Sequence, residues 1–217
     1  GDDDGVVHAW DQDGNQIWTH SGFDSMGSAI LRRYLETDPP APTKAVVIGT
    51  LPRYTVLSGG LLYILSLISG LFFKKESRNR FVNFLMNKSM TKGIAKSGEL
   101  DWLSHDPKVI KKYEDDPLSG FVYNKYFYNS LFKSLIKLNR KSEIEKTSPV
   151  RTLFISGYDD PLSKNMHAIH KLVATYEKRV GDFEAEIKPI YKARHEILNE
   201  TNREYTFDYL LDWIMNK

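Results

Sequence analysis

Three residues that can cooperate in nucleophilic catalysis each come a few positions after a run of strand-forming residues: Ser25, Asp160 and His195. In an open parallel sheet, functional groups gather just beyond the carboxyl ends of the strands. A serine hydroxyl attacks an ester carbonyl when a base lies within hydrogen-bond reach, and that base needs a carboxylate to fix its tautomer. The three residues therefore predict acyl transfer through a serine nucleophile.

Each of these residues also has an ordinary structural interpretation. Ser25 or Asp24 is a good N-cap for a helix predicted from Met26 to Glu36, and most serines before a helix have only that role. His195 can equally be a surface loop histidine. Taken from the residues alone, both interpretations stay open.

The pentapeptide DDPLS occurs twice, at Asp115–Ser119 and at Asp159–Ser163. The first copy follows a predicted helix, whereas the second follows a buried strand. An Asp-Pro pair usually marks only a turn. Position therefore singles out the second copy as the one that can orient a histidine.

The pattern of apolar residues predicts an α/β chain with a parallel sheet and one hairpin. Asp13-Gly14-Asn15 is typical of a hairpin turn. A capping box at 201–204 is expected to open the last helix, which runs to Met215. Strands are predicted at Val6–Trp10, Gln16–His20, Lys44–Thr50, Val150–Ser156 and Phe183–Tyr191, and a helix at His167–Arg179.

Residues 51–140 are predicted to be mostly helical, with helices that begin near Pro107 and Tyr123. Asp106 before Pro107 is a favourable N-cap and N1 pair. The uncharged stretch at 54–73 approaches the roughly 20 residues that cross a bilayer, although serines and glycines dilute it. It is expected to line a pocket or touch a membrane surface, and a membrane-spanning protein is the less favoured alternative.

Composition narrows the classes of function. A formal net charge of +2 indicates no general affinity for nucleic acid. The absence of cysteine excludes disulfides, thiol nucleophiles and thiolate metal sites, and it fits a cytoplasmic location. The oligomeric state cannot be predicted from these data.

The order Ser, Asp, His along the chain is that of α/β-hydrolases, whose nucleophile sits on a strand–turn–helix elbow. Four segments carry a closer resemblance: DSMGSAILRRYLE, ELDWLSHDPKVIKKYEDDPLSGF, FISGYDDPLS and ARHEILNETNRE. Over about residues 22–217 the chain resembles the serine hydrolases that include bacterial lysophospholipases and monoacylglycerol lipases. The resemblance implies Ser25 as nucleophile, His195 as general base and Asp160, rather than Asp159, as the orienting acid.

The resemblance also implies no cofactor and no metal, and a small acyl ester or lysolipid as substrate. The backbone N–H of Met26 would stabilise the oxyanion, helped by the positive end of the helix. Basic residues at 74–80 could bring the uncharged stretch to anionic lipid head groups, so peripheral contact with a membrane is a second expectation.

The sequence departs from the family pattern at the elbow. Phe23 stands where the family has a small residue, and Asp24 replaces its usual histidine. The family's early His-Gly loop, which supplies a second oxyanion N–H, has no counterpart before Gly22. These departures keep one alternative open: an inactive remnant that binds lipid or protein.

The predicted fold is a single α/β-hydrolase-like domain over residues 1–217, truncated at its N-terminal side. An atypical β-hairpin occupies 1–21, and a helical cap is inserted at 51–149. We expect Val6–Trp10 to pair antiparallel with Gln16–His20, the strand that precedes Ser25, and so to cover its open edge.

Overall fold

The computed structural model describes residues 6–10, 16–21, 24–37, 42–51, 60–61, 63–68, 78–91, 94 and 98–216. Of the uncharged stretch, only 60–61 and 63–68 are described, and their backbone is helical. Among the described residues, no helix has the length and apolar character needed to cross a membrane.

The strands of the described residues form two separate sheets. The antiparallel pair confirms the predicted hairpin, with Val6 opposite Ser21. The other sheet is parallel, in the order β3-β4-β5. The strands are β1 Val6–Trp10, β2 Gln16–Ser21, β3 Lys44–Ile48, β4 Arg151–Gly157 and β5 Ala185–Ile190.

The helices follow the predicted order, and the His167–Arg179 helix has the predicted bounds. A 3₁₀ turn at Ile197–Asn199 precedes the last helix. The helices are α1 Asp24–Leu35, α2 Arg80–Met90, α3 Pro107–Asp115, α4 Lys125–Leu138, α5 Lys141–Ile144, α6 His167–Arg179 and α7 Arg203–Met215.

Successive side chains of a strand point to opposite faces of a sheet. In the parallel sheet, the side chains on both faces are buried. Phe154 packs with Leu172 and Tyr176 of α6 on one face. Leu153 and Ile155 pack on the other face, in a cluster that includes Trp213 of α7. The sheet is therefore a middle layer between helices, as expected for a parallel sheet.

Three sequence-based expectations need correction. Helix α1 begins at Asp24, so Asp24 and Ser25 lie within its first turn and are not its caps. Strand β2, which precedes this helix, pairs with β1 and is not a member of the parallel sheet in the described residues. Within the hairpin, β2 therefore pairs with β1 and does not pair with β3, the edge strand of the parallel sheet.

The third correction concerns the capping box at 201–204. Asn202 is the N-cap of α7 and makes no side-chain cap hydrogen bond. Its amide nitrogen instead donates to the carbonyl oxygen of Tyr191 at 3.0 Å. The helix thus begins one residue later than the box requires, since the box would have Thr201 as its N-cap.

Candidate active site

The end of β4 positions Asp160. Gly157 is the last residue of the strand, and a Cβ there would lie 2.7 Å from the carbonyl carbon of Ala193. Only glycine lets the strand end come this close to the loop before His195. The hydroxyl of Ser163 lies 3.0 Å from the carbonyl oxygens of both Gly157 and Asp160, which closes the turn.

The carboxylate of Asp160 is buried and accepts from three donors. The backbone N–H of Leu162 donates to Oδ1 at 2.8 Å. The other oxygen, Oδ2, lies 2.9 Å from Nδ1 of His195 and accepts from the Ser156 hydroxyl at 3.4 Å. Nδ1 of His195 carries the proton in this arrangement, because a carboxylate can only accept.

The imidazole of His195 is as buried as Asp160, each being 1% exposed. The indole of Trp102 packs against it with 5.0 Å between ring centroids. The backbone N–H of His195 donates to the carbonyl oxygen of Trp102 at 3.3 Å, and that of Glu196 donates to Leu103 at 2.8 Å. A segment far away in sequence therefore fixes both the ring and the main chain of His195.

The predicted residues are placed as follows. Asp160 and His195 are brought together. Ser25 is the second residue of α1, and its side chain lies outside the described part of the structure. Met26 is the third residue of α1, so its N–H is among the first four of the helix, which have no partner within the helix. Asp159 instead places its carboxylate 3.9 Å from Nε2 of His105.

A groove of about 470 Å³ is lined by residues of α1, among them Met26, and of α4. Its volume is within the range of small-molecule sites, about 300–1,000 Å³. Most of the lining is apolar, and it includes Met26, Ala29, Ile30, Tyr34, Phe127, Leu131, Leu135 and Leu138.

No group of three or more histidine, aspartate or glutamate side chains that could hold a metal ion occurs in the part of the chain that the structure describes. The chemistry available here is that of a carboxylate and an imidazole. In serine hydrolases the carboxylate orients the imidazole, which is the base, and stabilises its protonated form.

Two contributors were missed by sequence reasoning, Trp102 and Glu200. Both stand inside segments that carried the resemblance, WLSH and HEILNE. Their apolar and acidic types gave no role by themselves, because the contacts that define them join positions about 95 residues apart.

Comparison with known proteins shows the family of this chain. Residues 21–202 match the family described as "Serine aminopeptidase, S33". The chain belongs to this family of α/β-hydrolases, and the predicted fold class is confirmed. No curated protein matches the chain.

Solved structures share the fold at low sequence identity. A thermostable carboxyl esterase from Bacillus coagulans is 24% identical, with a TM-score of 0.71, over 88% of this chain and 62% of that one. A lipase in its open form is 13% identical, with a TM-score of 0.72, over 88% and 63%. A monoacylglycerol lipase from Paleococcus ferrophilus is 18% identical, with a TM-score of 0.54, over 88% and 65%. The chain thus spans less than two thirds of each of these proteins.

Proposed function

We propose that the protein is a serine carboxylic-ester hydrolase that cleaves monoacylglycerols or lysophospholipids through an acyl-enzyme. The buried hydrogen bond between Asp160 and His195, at 2.9 Å, is the observation that carries this proposal. Membership of a serine hydrolase family supports it.

In the proposed reaction, His195 takes the proton of the Ser25 hydroxyl as its oxygen bonds to the ester carbonyl carbon. The bond to the alcohol then breaks, and His195 returns the proton to the leaving alcohol. Water, activated by the same imidazole, hydrolyses the acyl-enzyme. Asp160 holds the imidazole in the tautomer that leaves Nε2 to act as the base, and the N–H of Met26 faces the developing oxyanion.

Two observations support a substrate with a hydrocarbon chain. The groove that Met26 helps to line is largely apolar, and each CH₂ buried there would contribute about 0.8 kcal/mol. One of the solved proteins that share the fold is also a monoacylglycerol lipase.

We propose in addition that residues 51–149 form a cap over the site. This is supported by the hydrogen bonds from the His195 loop to Trp102 and Leu103, which lie within that range.

The helical residues Leu61, Ile64 and Leu67 are exposed, which supports peripheral contact with a lipid surface. Sedimentation with anionic vesicles tests this contact, and a Leu61→Ser, Ile64→Ser double variant should then bind less.

Fatty acid release from 1-dodecanoylglycerol and from dodecanoyl lysophosphatidylcholine tests the activity. We expect release by the wild type and by Ser142→Ala, an exposed control serine. Ser25→Ala and His195→Ala should release no more than buffer. A folded wild type without activity on either ester would overturn the proposal in favour of the alternative, a lipid- or protein-binding module.

A further inference from the structure

Glu200 is a carboxylate that is 0% exposed, yet no step of the proposed reaction uses it. It accepts hydrogen bonds from the backbone N–H groups of Arg194 at 2.7 Å, His105 at 3.0 Å and Thr201 at 3.2 Å. Nδ1 of His105 also lies 3.0 Å from Oε1. A buried carboxylate is tolerated when it is paired and hydrogen-bonded, and these donors meet that condition.

Two of these donors belong to the two segments that hold His195: its own loop and the segment that packs on its ring. Arg194 immediately precedes His195, and His105 belongs to the same segment as Trp102, whose indole packs on the imidazole. The guanidinium of Arg194 adds contacts between these two segments, since Nη1 donates to the carbonyl oxygens of Asp101 and Ser104. One carboxylate therefore ties the His195 loop to the segment that covers the His195 ring.

We propose that Glu200 is a positioning residue for the reaction: it sets the place of His195 relative to Asp160 by fixing Arg194 and His105 together. This inference rests on the proposed function, because His195 is assigned there as the base. Glu200 would act only through the geometry of its neighbours. A displacement of a catalytic group by about 1 Å can cost roughly 10²-fold in rate.

The test compares Glu200→Gln with Glu177→Gln, an exposed control on α6. Glutamine has the shape of glutamate but accepts at only one oxygen, so at least one of the donors loses its partner. The readouts are kcat and KM for p-nitrophenyl butyrate, the melting temperature, and the low-field proton NMR resonance of the N–H shared by His195 and Asp160. We expect the resonance to be absent from Glu200→Gln. We expect its kcat to be about 10- to 100-fold lower than that of the wild type, and its KM to stay within twofold of the wild-type value.

A milder pair of variants covers the case in which Glu200→Gln fails to fold. His105→Ala removes one donor to Glu200, whereas the amide of His105→Asn can occupy the place of Nδ1. We expect the resonance and kcat to weaken in the alanine variant and to recover in the asparagine variant. Equal values in both variants would contradict the proposal.

A folded Glu200→Gln protein with wild-type resonance and kcat would overturn the inference. So would a fall in kcat that only matches the fraction of unfolded protein. The resonance separates this failure from failure of the proposed function, because it reports the Asp160–His195 geometry even if no ester is cleaved.

Discussion

Asp116 and Asp160 occupy the same place in the two copies of DDPLS, and their environments explain why only one is a candidate acid. Each accepts a local hydrogen bond two residues on, from Leu118 at 2.9 Å and from Leu162 at 2.8 Å. The second oxygen of Asp116 bonds to the nearby Ser119 hydroxyl at 2.5 Å. The second oxygen of Asp160 lies against His195 instead.

This repeat supplies a matched pair of variants. We expect Asp160→Asn to lower kcat/KM for ester hydrolysis by about 10³–10⁴-fold, because the amide can hold the imidazole in the wrong tautomer. Asp116→Asn should retain wild-type activity, since its carboxylate serves only a surface turn. Equal activity of the two variants would show that Asp160 does not orient the base.

At the residue scale, the sequence was sufficient to nominate Asp160, which follows an apolar run typical of a buried strand, and His195, which follows a segment that alternates as a strand. Their assignment as catalytic remains a prediction, as does that of Ser25. Glu200 and Trp102 could not be assigned, because their roles arise from tertiary contacts that no local spacing encodes.

At the scale of elements, the end of β4 and the loop before His195 approach each other too closely for a side chain. A Cβ on Gly157 would overlap the carbonyl oxygens of Ala193 and Arg194, which are backbone atoms and cannot swing away. We expect Gly157→Ala to lower the free energy of unfolding by about 1–3 kcal/mol. We also expect it to reduce ester hydrolysis, because the added methyl group would move Arg194, the residue before His195.

Urea unfolding followed by circular dichroism measures this change. Gly181→Ala is the control, because a Cβ there would meet nothing within 4 Å. Equal stability and activity of the two variants would mean that the loop accommodates the added methyl group.

The end of α1 carries a pH-sensitive carboxyl group. Burial raises the pKa of Glu36 to about 7, although Arg33, at 2.8 Å, and Arg32 oppose the shift. Hydrogen bonds from Lys146 and Arg33 lower the pKa of the neighbouring Glu143 to about 2, so Glu143 stays ionised between pH 5 and pH 8. Glu36 is therefore the group of this cluster that titrates between pH 5 and pH 8.

The sign follows from linkage. Because the folded pKa is above the unfolded one, the unfolded chain binds fewer protons in this range, and stability falls as the pH rises. Relative to Glu36→Gln, the wild type should lose about 2 kcal/mol of unfolding free energy between pH 5 and pH 8. Urea unfolding at both pH values measures this loss. Parallel pH dependence of the two proteins would show that Glu36 does not titrate in this range.

Two errors of prediction at this scale concern the residue at which a helix begins. The capping box failed because α7 begins one residue later than the box requires, so that Asn202 and not Thr201 is its N-cap. The N-cap of α1 was placed too late because helix ends depend on backbone geometry that residue type constrains only loosely.

At the scale of the whole molecule, the strand–helix order was predictable because parallel strands buried on both faces read as continuous apolar runs, as in β4. The sheet to which β2 belongs was not predictable, because pairing depends on contacts between distant segments. The cap at 51–149 stays a prediction, supported by its contacts with the His195 loop.

The central claim is that Ser25 is a nucleophile activated by His195 and Asp160. Mass spectrometry after reaction with a fluorophosphonate, followed by peptide mapping, tests it most directly. We expect one adduct per chain, located on Ser25, which is lost in His195→Ala and retained in Asp116→Asn. An adduct on another residue, or none on a folded wild-type sample, would contradict it.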